Sequence, residues 1–260
     1  MLWNDPANQI LRPSAITITA LSRGSLLRRC TLSVPVGTRL LVVSDPEASA
    51  STLVRVLAGL SRRDGGKIEI AGMADGSGRG WSRRVAHLGP EPGIPRWMSP
   101  REAVALAADL LDVPHDEAST RTDRALAWAG VTSAAADRPI HRGGPPLLQR
   151  TGLAAALIAD PEVLLLDEPL RALDTHERTR LLRLPGQRHT IVIASRYPAS
   201  EAGLVSHVAL LRAGQVALMV PVSELDEAGL PLSMLGVKAL ADRLVAAGRA
   251  DGPRIAAAAQ

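Results

Sequence analysis

A chain of 260 residues with 46% hydrophobic content can bury a sizeable core, which excludes a disordered tail. Aromatic residues make up only 2% and phenylalanine is absent, so that core has to be built from leucine, valine, isoleucine and alanine. The net charge of +4 comes from scattered arginines, with lysine only at Lys67 and Lys238, and nothing gathers into the basic stripe that a nucleic-acid surface requires.

In chain order, MLWNDPANQI lacks the basic start and apolar run of an export signal, and no later apolar run approaches the roughly 20 residues that span a bilayer. The expectation is a soluble or peripheral protein. AITITAL (15–21) alternates as an exposed or edge strand, and CTLSVPV (30–36) follows as another. The single cysteine, Cys30, excludes an internal disulfide, fits a reducing compartment and reads as a small buried hydrophobe.

GTRLLVVS (37–44), entered from a turn at Val36 and Gly37, has the length and composition of a buried strand. STLVRVLAGL (51–60) places Leu53, Val56, Leu57 and Leu60 at helical spacing, with Ser51 or Thr52 available to cap the first turn. Between them lies SDPEASAST (44–52). In a phosphate-binding loop, strand, loop and helix carry G-x-x-x-x-G-K-[ST]: glycines let backbone amides wrap a phosphate, and lysine neutralises its charge. Here Ser44 and Ser49 stand for the glycines, Ala50 stands for the lysine, and only Ser51 matches. Glu47 and Ser49 would be strained at positive φ, which predicts a locally different or mobile loop.

A turn at Gly65-Gly66 and the strand KIEI (67–70) complete a small β layer. From about 90 to 150 the chain turns helical: SPREAVALAADLLDV starts at a Ser-Pro cap, and TRTDRALAWAGV gives a second helix. LAAALIADPEVLLLDEP then reads as helix, turn and strand. TIVIAS is a further strand, and VSHVALLRAGQVALMV is a hairpin turning at Ala213-Gly214. An alanine-rich helix follows Pro221, then the polar break GRADGPR and an end expected to fray. Strands alternating with helices predict an α/β sheet interrupted by a helical lobe.

VLLLDEPLRALD (163–174) is the most specific signal. Four aliphatic residues make a fully buried strand, and an acid pair at its end places charge at the C-terminal edge of a sheet. Asp167 would hold Mg²⁺, directly or through water, and Glu168 would orient or deprotonate an attacking water. The alternative is that the two acids fasten the turn before Pro169. His141 and His207 carry no metal-ligand spacing.

With these segments in this order, the chain resembles the nucleotide-binding subunits of ATP-binding cassette (ABC) transporters. STLVRVLAGL, DGGKIEIAGM, LGPEPG, MSPREAV, QRTGLAAALIADPEVLLLDEPLRALD and ALLRAGQVA each look like that family's segments. The resemblance implies a P-loop NTPase-like (RecA-like) mixed α/β sheet core with a small antiparallel β layer and an inserted α-helical lobe. It implies one ATP-binding domain over 1–220, with the lobe at about 90–150, and a C-terminal helical tail over 221–260. It implies Mg-ATP as ligand, a membrane permease subunit as partner, and a homodimer or a heterodimer with an ABC ATPase subunit. No nucleic acid enters, and the location implied is cytoplasmic, peripheral at the inner face of the cell membrane. Carried over position by position, nucleotide contacts fall on Ser49, Ala50, Ser51 and Thr52, on Pro90 at the Q-loop glutamine, on Gly143 and Gly144 of the signature, and on Asp174 of the D-loop. Metal falls on Ser51 and Asp167. Catalysis falls on Glu168 and on Arg196, at the switch-histidine position.

The departures cluster on those positions. Replacing the lysine by Ala50 forfeits about 1.5–3 kcal/mol of charge-assisted hydrogen bonding, Glu47 adds repulsion, and the helix dipole leaves about 0.3–1 kcal/mol. Pro90 offers no side-chain donor or acceptor. Arg196 cannot give up its proton, although it can hold an anion. Arg23 stands where the family's adenine-stacking aromatic is expected. In HRGGPPLLQR (141–150), Arg142 replaces the signature serine, Pro145 replaces the glutamine, and two prolines are expected to shift the helix start.

The sequence therefore predicts a subunit with weak or no ATP binding and hydrolysis, acting as a structural or regulatory partner of a permease or an active ATPase subunit. Two alternatives stay open: an atypical ATPase in which Arg196 supplies the missing charge, and a soluble scaffold without a permease. Trp97, in IPRWMSP, falls where the resemblance implies a permease groove. An exposed Trp97 favours docking, and a buried one favours ordinary packing.

Overall fold

The computed structural model describes residues 13–74, 79–169 and 189–247. It divides into two compact units, Met1–Gly76 with Thr190–Gln260, and Ser77–His189.

The first unit opens with β1 (Ser14–Arg23) and β2 (Leu27–Pro35), paired antiparallel with Ile18 opposite Leu32. The exposed or edge strand expected at 15–21 is corrected: β1 is paired on both sides and buries Ile16, Ile18 and Leu21, stepping by three from Ile18 to Leu21 at a register shift, while β2 alternates to bury Cys30, Leu32 and Val34. Burial pushes the Cys30 thiol up to about 12, so it packs as a hydrophobe. β3 (Arg39–Asp45) and α1 (Ala48–Leu57) follow. Leu53, Val54, Val56 and Leu57 of α1 are buried, whereas Leu60 lies beyond the helix and is 58% exposed.

β4 (Gly65–Ile70) and β5 (Met73–Ala74) complete the layer in the order β2-β1-β4-β5. Gly65 and Gly66 belong to β4 and do not form a turn before it. Gly66 takes φ +90 where the β1–β4 register shifts, and a Cβ there would sit 2.5 Å from the Ala20 carbonyl oxygen. Only glycine permits that approach.

The second unit begins with α2 (Arg79–Arg84) and β6 (Val85–Leu88). Three longer helices and a short one follow: α3 (Pro100–Leu110), α4 (His115–Trp128), α5 (Ser133–Ala136) and α6 (Gly144–Leu157). The expected Ser-Pro start is a full capping box: the Glu102 N–H donates to Ser99 Oγ, and the Ser99 N–H donates to the Glu102 carboxylate. Val104 and Ala108 of α3, Leu126 of α4, and Leu153 and Ala154 of α6 are buried. Arg101 ties α3 to Asp123 of α4 and to Asp137. β7 (Val163–Asp167) runs parallel to β6, with Leu88 opposite Leu166. A Cβ on Gly152 would lie 2.7 Å from Leu88 Cδ1 and 2.9 Å from Pro92 Cγ, so α6 seats closely against β6.

The chain returns to the first unit through β8 (Thr190–Ala194), β9 (His207–Arg212) and β10 (Gln215–Pro221). β3 lies between β8 and β9 and is parallel to both, while β9 and β10 form the expected hairpin. The helix Met234–Ala246 buries Val237, Leu240 and Ala241. Residues 248–260, including the segment expected to fray, lie outside the described residues. No helix among the described residues is long and apolar enough to cross a membrane.

Gly66→Ala is expected to destabilise the protein by about 1–3 kcal/mol, because a methyl group meets backbone at a left-handed φ. Urea denaturation of the variant against wild type measures it.

Candidate functional site

In the first unit, β3 is buried from Leu40 to Ser44 and delivers the chain to the C-terminal edge of its parallel neighbours. There Ser44 closes the loop on itself. Its hydroxyl donates to the Glu47 carbonyl oxygen at 2.8 Å and accepts the Ala50 N–H at 2.9 Å, while the Ser49 N–H donates to the Pro46 carbonyl oxygen at 3.1 Å. Glu47 sits at φ −53, ψ −37 and α1 begins at Ala48. None of residues 44–52 takes positive φ. The strain expected at Glu47 and Ser49 is avoided by starting the helix early.

This early start also corrects the expected cap. Ser51 and Thr52 lie inside α1, the cap position is Glu47 without a side-chain bond, and Thr52 Oγ1 donates back to the Ala48 carbonyl oxygen at 2.7 Å. Ser49 is fully buried, with an Oγ that has no hydrogen-bond partner, and Ala50 is buried beside it.

A β- or γ-phosphate held in this loop would need outward amides and a cation. The Ser49 and Ala50 amides are engaged internally and Ala50 carries no charge, so the loop in this form does not fit a triphosphate. The cation present nearby, Lys238, donates to Asp45 Oδ2 and holds that carboxyl below its ordinary range. Arg196 follows β8 and is exposed, after the buried Ser195, whose Oγ accepts the Tyr197 N–H. Because Val42 lies opposite Ala194, the fold brings Arg196 to the same sheet edge as the loop.

In the second unit, β6 and β7 end together, which brings Pro90 and the pair Asp167-Glu168 to one edge. Asp167 is 5% exposed and Glu168 7%, and Glu168 takes φ +52, a left-handed conformation that costs a non-glycine residue about 1–2 kcal/mol. The turn is fastened from α6: Gln149 is buried and its Nε2 donates to the Pro169 carbonyl oxygen at 3.3 Å. Among the described residues no three His, Cys, Asp or Glu side chains converge as a metal cluster. An acid pair suits Mg²⁺ in donor chemistry, with the remaining ligands supplied by water or phosphate. Asp174 lies outside the described residues.

The prolines of the signature do not shift the helix beyond its glycines. α6 begins at Gly144, with Gly143 as cap and Pro145 and Pro146 inside the first turn, where a missing N–H breaks no helical bond. The consequence is chemical: two of the donors that a helix N-terminus offers an anion are absent. A Cβ on Gly143 would lie 2.7 Å from Leu147 Cβ, so a side chain there would force Leu147 to shift. The segment leading in is pinned to that of Trp97: the Ile140 N–H donates to Met98 and the His141 N–H to Arg96, both at 2.9 Å. Trp97 itself is 72% exposed.

Motif spacing selects Ser44 only as a missing glycine and does not select Gln149 as a fastener or Lys238 as a partner of Asp45. Ser44 alone carried a signal: a hydroxyl where the motif has glycine can bond its own loop.

Comparison with known proteins agrees with this frame. A family model described as ABC transporter matches residues 27–171. An uncharacterized ABC transporter ATP-binding protein of Nostoc sp. is 30% identical over 204 residues, covering 76% of this chain and 61% of that protein. An aliphatic sulfonates import ATP-binding protein of Corynebacterium glutamicum is 31% identical over 215 residues, covering 79% and 83%. A solved ATP-binding subunit of an ABC transporter superposes with a TM-score of 0.73 at 20% identity, over 89% of this chain and 100% of that one. A loop between strand and helix, a buried strand ending in two acids, and a family match over more than half the length make this chain a member of the ABC transporter ATP-binding family, on the P-loop NTPase fold.

Proposed function

We propose that this chain is a subunit of an ABC import system that binds Mg-ATP weakly or not at all, hydrolyses it little or not at all, and serves as a structural or regulatory partner of the machinery. It works on the cytoplasmic face of the cell membrane, docked on a permease subunit and paired with a second copy or with an active ATPase subunit. The observation that carries the reading is the closed loop: Ala50 replaces the lysine, and its N–H is already bonded to Ser44. Loss of the lysine alone corresponds to about ten- to 150-fold in affinity, before the engaged amides are counted. Pro145 and Pro146 remove donors at the signature as well. The role that the Corynebacterium relative's name gives it, import of aliphatic sulfonates, supports an import system and leaves the cargo of this chain unnamed.

The acid pair fits this reading as a fastener. Asp167 and Glu168 end a fully buried strand, and the Gln149–Pro169 bond anchors the turn that carries them. The competing reading is an ATPase in which Arg196 supplies the missing charge, and its support is that Arg196 shares the sheet edge of the loop. Docking is supported by Trp97, a large apolar side chain exposed on a segment braced by Met98 and Arg96.

Two measurements test these claims. Phosphate release from Mg-ATP by the purified chain is expected at background and unmoved by Glu168→Gln. Mg²⁺-dependent release that Glu168→Gln abolishes refutes the pseudo-ATPase reading, and release that Arg196→Ala abolishes establishes the competing one. Tagged protein is expected to retain a polytopic membrane protein from solubilised membranes, with Trp97→Ala lowering that retention about tenfold or more. Equal retention by the variant removes Trp97 from the docking surface, and none by either chain favours the scaffold reading.

A further inference from the structure

Asp45, the second residue of the loop, is gripped from outside its own strand and helix. Its carbonyl oxygen accepts the Ala213 N–H at 3.0 Å, from the turn between β9 and β10. Its carboxylate accepts Lys238 Nζ, from the helix Met234–Ala246. One turn further along that helix, Asp242 accepts Arg212 Nη1 at 2.7 Å, and Arg212 lies opposite Asp45 in the parallel register of β3 and β9.

Lys238 and Asp242, four residues apart, share one helix face. They make two rungs of opposite polarity onto the ends of β3 and β9, and all four charges belong to one unit. The helix bearing them is seated by buried Val237, Leu240 and Ala241. The loop has no such packing on its outer side, where Asp45, Pro46, Glu47 and Ala48 are exposed. The lowered Asp45 carboxyl, with Lys238 its first cause and Arg212 a lesser one, agrees with a charge held in place.

We propose that Lys238 is a positioning residue for the Ser44–Ala50 loop, acting through Asp45 to hold the strand-to-helix turn in the form that keeps the Ser49 and Ala50 amides engaged. Ser44 closes the loop from inside and Lys238 holds it from outside, so that the protein's own groups order it without a bound phosphate. The proposal rests on the reading that this loop is not a working nucleotide cradle, and it names what orders the loop instead. Lysine suits this role, because a compact point charge on a flexible stem reaches one exposed carboxylate without the planar fork that arginine brings. In a chain with only one other lysine, Lys67, its use here stands apart from the general reliance on arginine.

An exposed ion pair contributes little to global stability, so the effect falls on local opening. Amide hydrogen exchange on the full chain, without nucleotide, reads it. In Lys238→Met the Ser49 and Ala50 amides are expected to exchange about tenfold faster, while Leu41 and Val42 of β3 keep their protection. Lys238→Arg, which keeps the charge, should restore most of the protection, and about 1 M salt should reproduce part of the loss in wild type. Unchanged exchange at Ser49 and Ala50 in Lys238→Met overturns the proposal. So does a loss spread equally over β3 and β9, the mark of a merely structural role. Because nucleotide is absent, failure here leaves the ATP reading untouched, and a failure of that reading leaves this result standing.

Discussion

The Ser44 hydroxyl bridges the Glu47 carbonyl and the Ala50 amide, and the passage from β3 into α1 depends on that bridge. A loop built from glycines turns through positive φ and leaves its amides facing outward, ready for an anion. Here serine, proline, glutamate and alanine cannot follow that path without strain, so the chain enters α1 at Ala48 and satisfies its donors internally. Absence of the glycines and internal engagement of the Ser49 and Ala50 amides thus go together. Ala50 completes it by removing the charge.

The rest of the fold carries on regardless of that change. β3 is held by β8 and β9 on either side, α1 buries four aliphatic residues, and neither depends on what the loop binds. The second unit behaves alike: β7 buries Val163–Leu166, α6 packs on β6 through Gly152, and Gln149 secures the turn after the acid pair. On the proposed reading, a scaffold so independent of ligand keeps Trp97 exposed for docking whatever the loop binds. Family membership and family activity can then separate, because the sheet specifies the fold and a few loop atoms specify the chemistry.

Where burial wrote the pattern, the sequence was readable. The alternation of β2, the aliphatic run of β7, the Ser99-Pro100 helix start and the Ala213-Gly214 hairpin all follow from local periodicity or turn chemistry, whereas the interior place of β1 depends on the strands that pair with it. Readings failed where a single hydrogen bond or a distant partner decides. The start of α1 at Ala48, ahead of any apolar residue larger than alanine, depends on how Ser44 bonds its loop, and the exposure of Leu60 depends on where the helix stops. Gly65 and Gly66 look like a turn, and only the pairing of Gly65 with Ser22 and the close approach of Gly66 to Ala20 make them part of β4. The signature prolines seemed set to displace α6, yet the first turn tolerates them and only their missing donors matter. Lys238 and Asp45 stand 193 positions apart, beyond any local signal.

The central claim is that a loop closed by its own side chain does not hold Mg-ATP tightly. Thermal unfolding of the purified chain with and without millimolar Mg-ATP tests it most directly, since a ligand that binds the native state raises stability by RT ln(1 + [L]/Kd). The account predicts an unchanged midpoint. A clear rise, such as the roughly 2.7 kcal/mol expected when ligand stands at about 100 times Kd, would contradict it and mean that the loop opens to receive nucleotide.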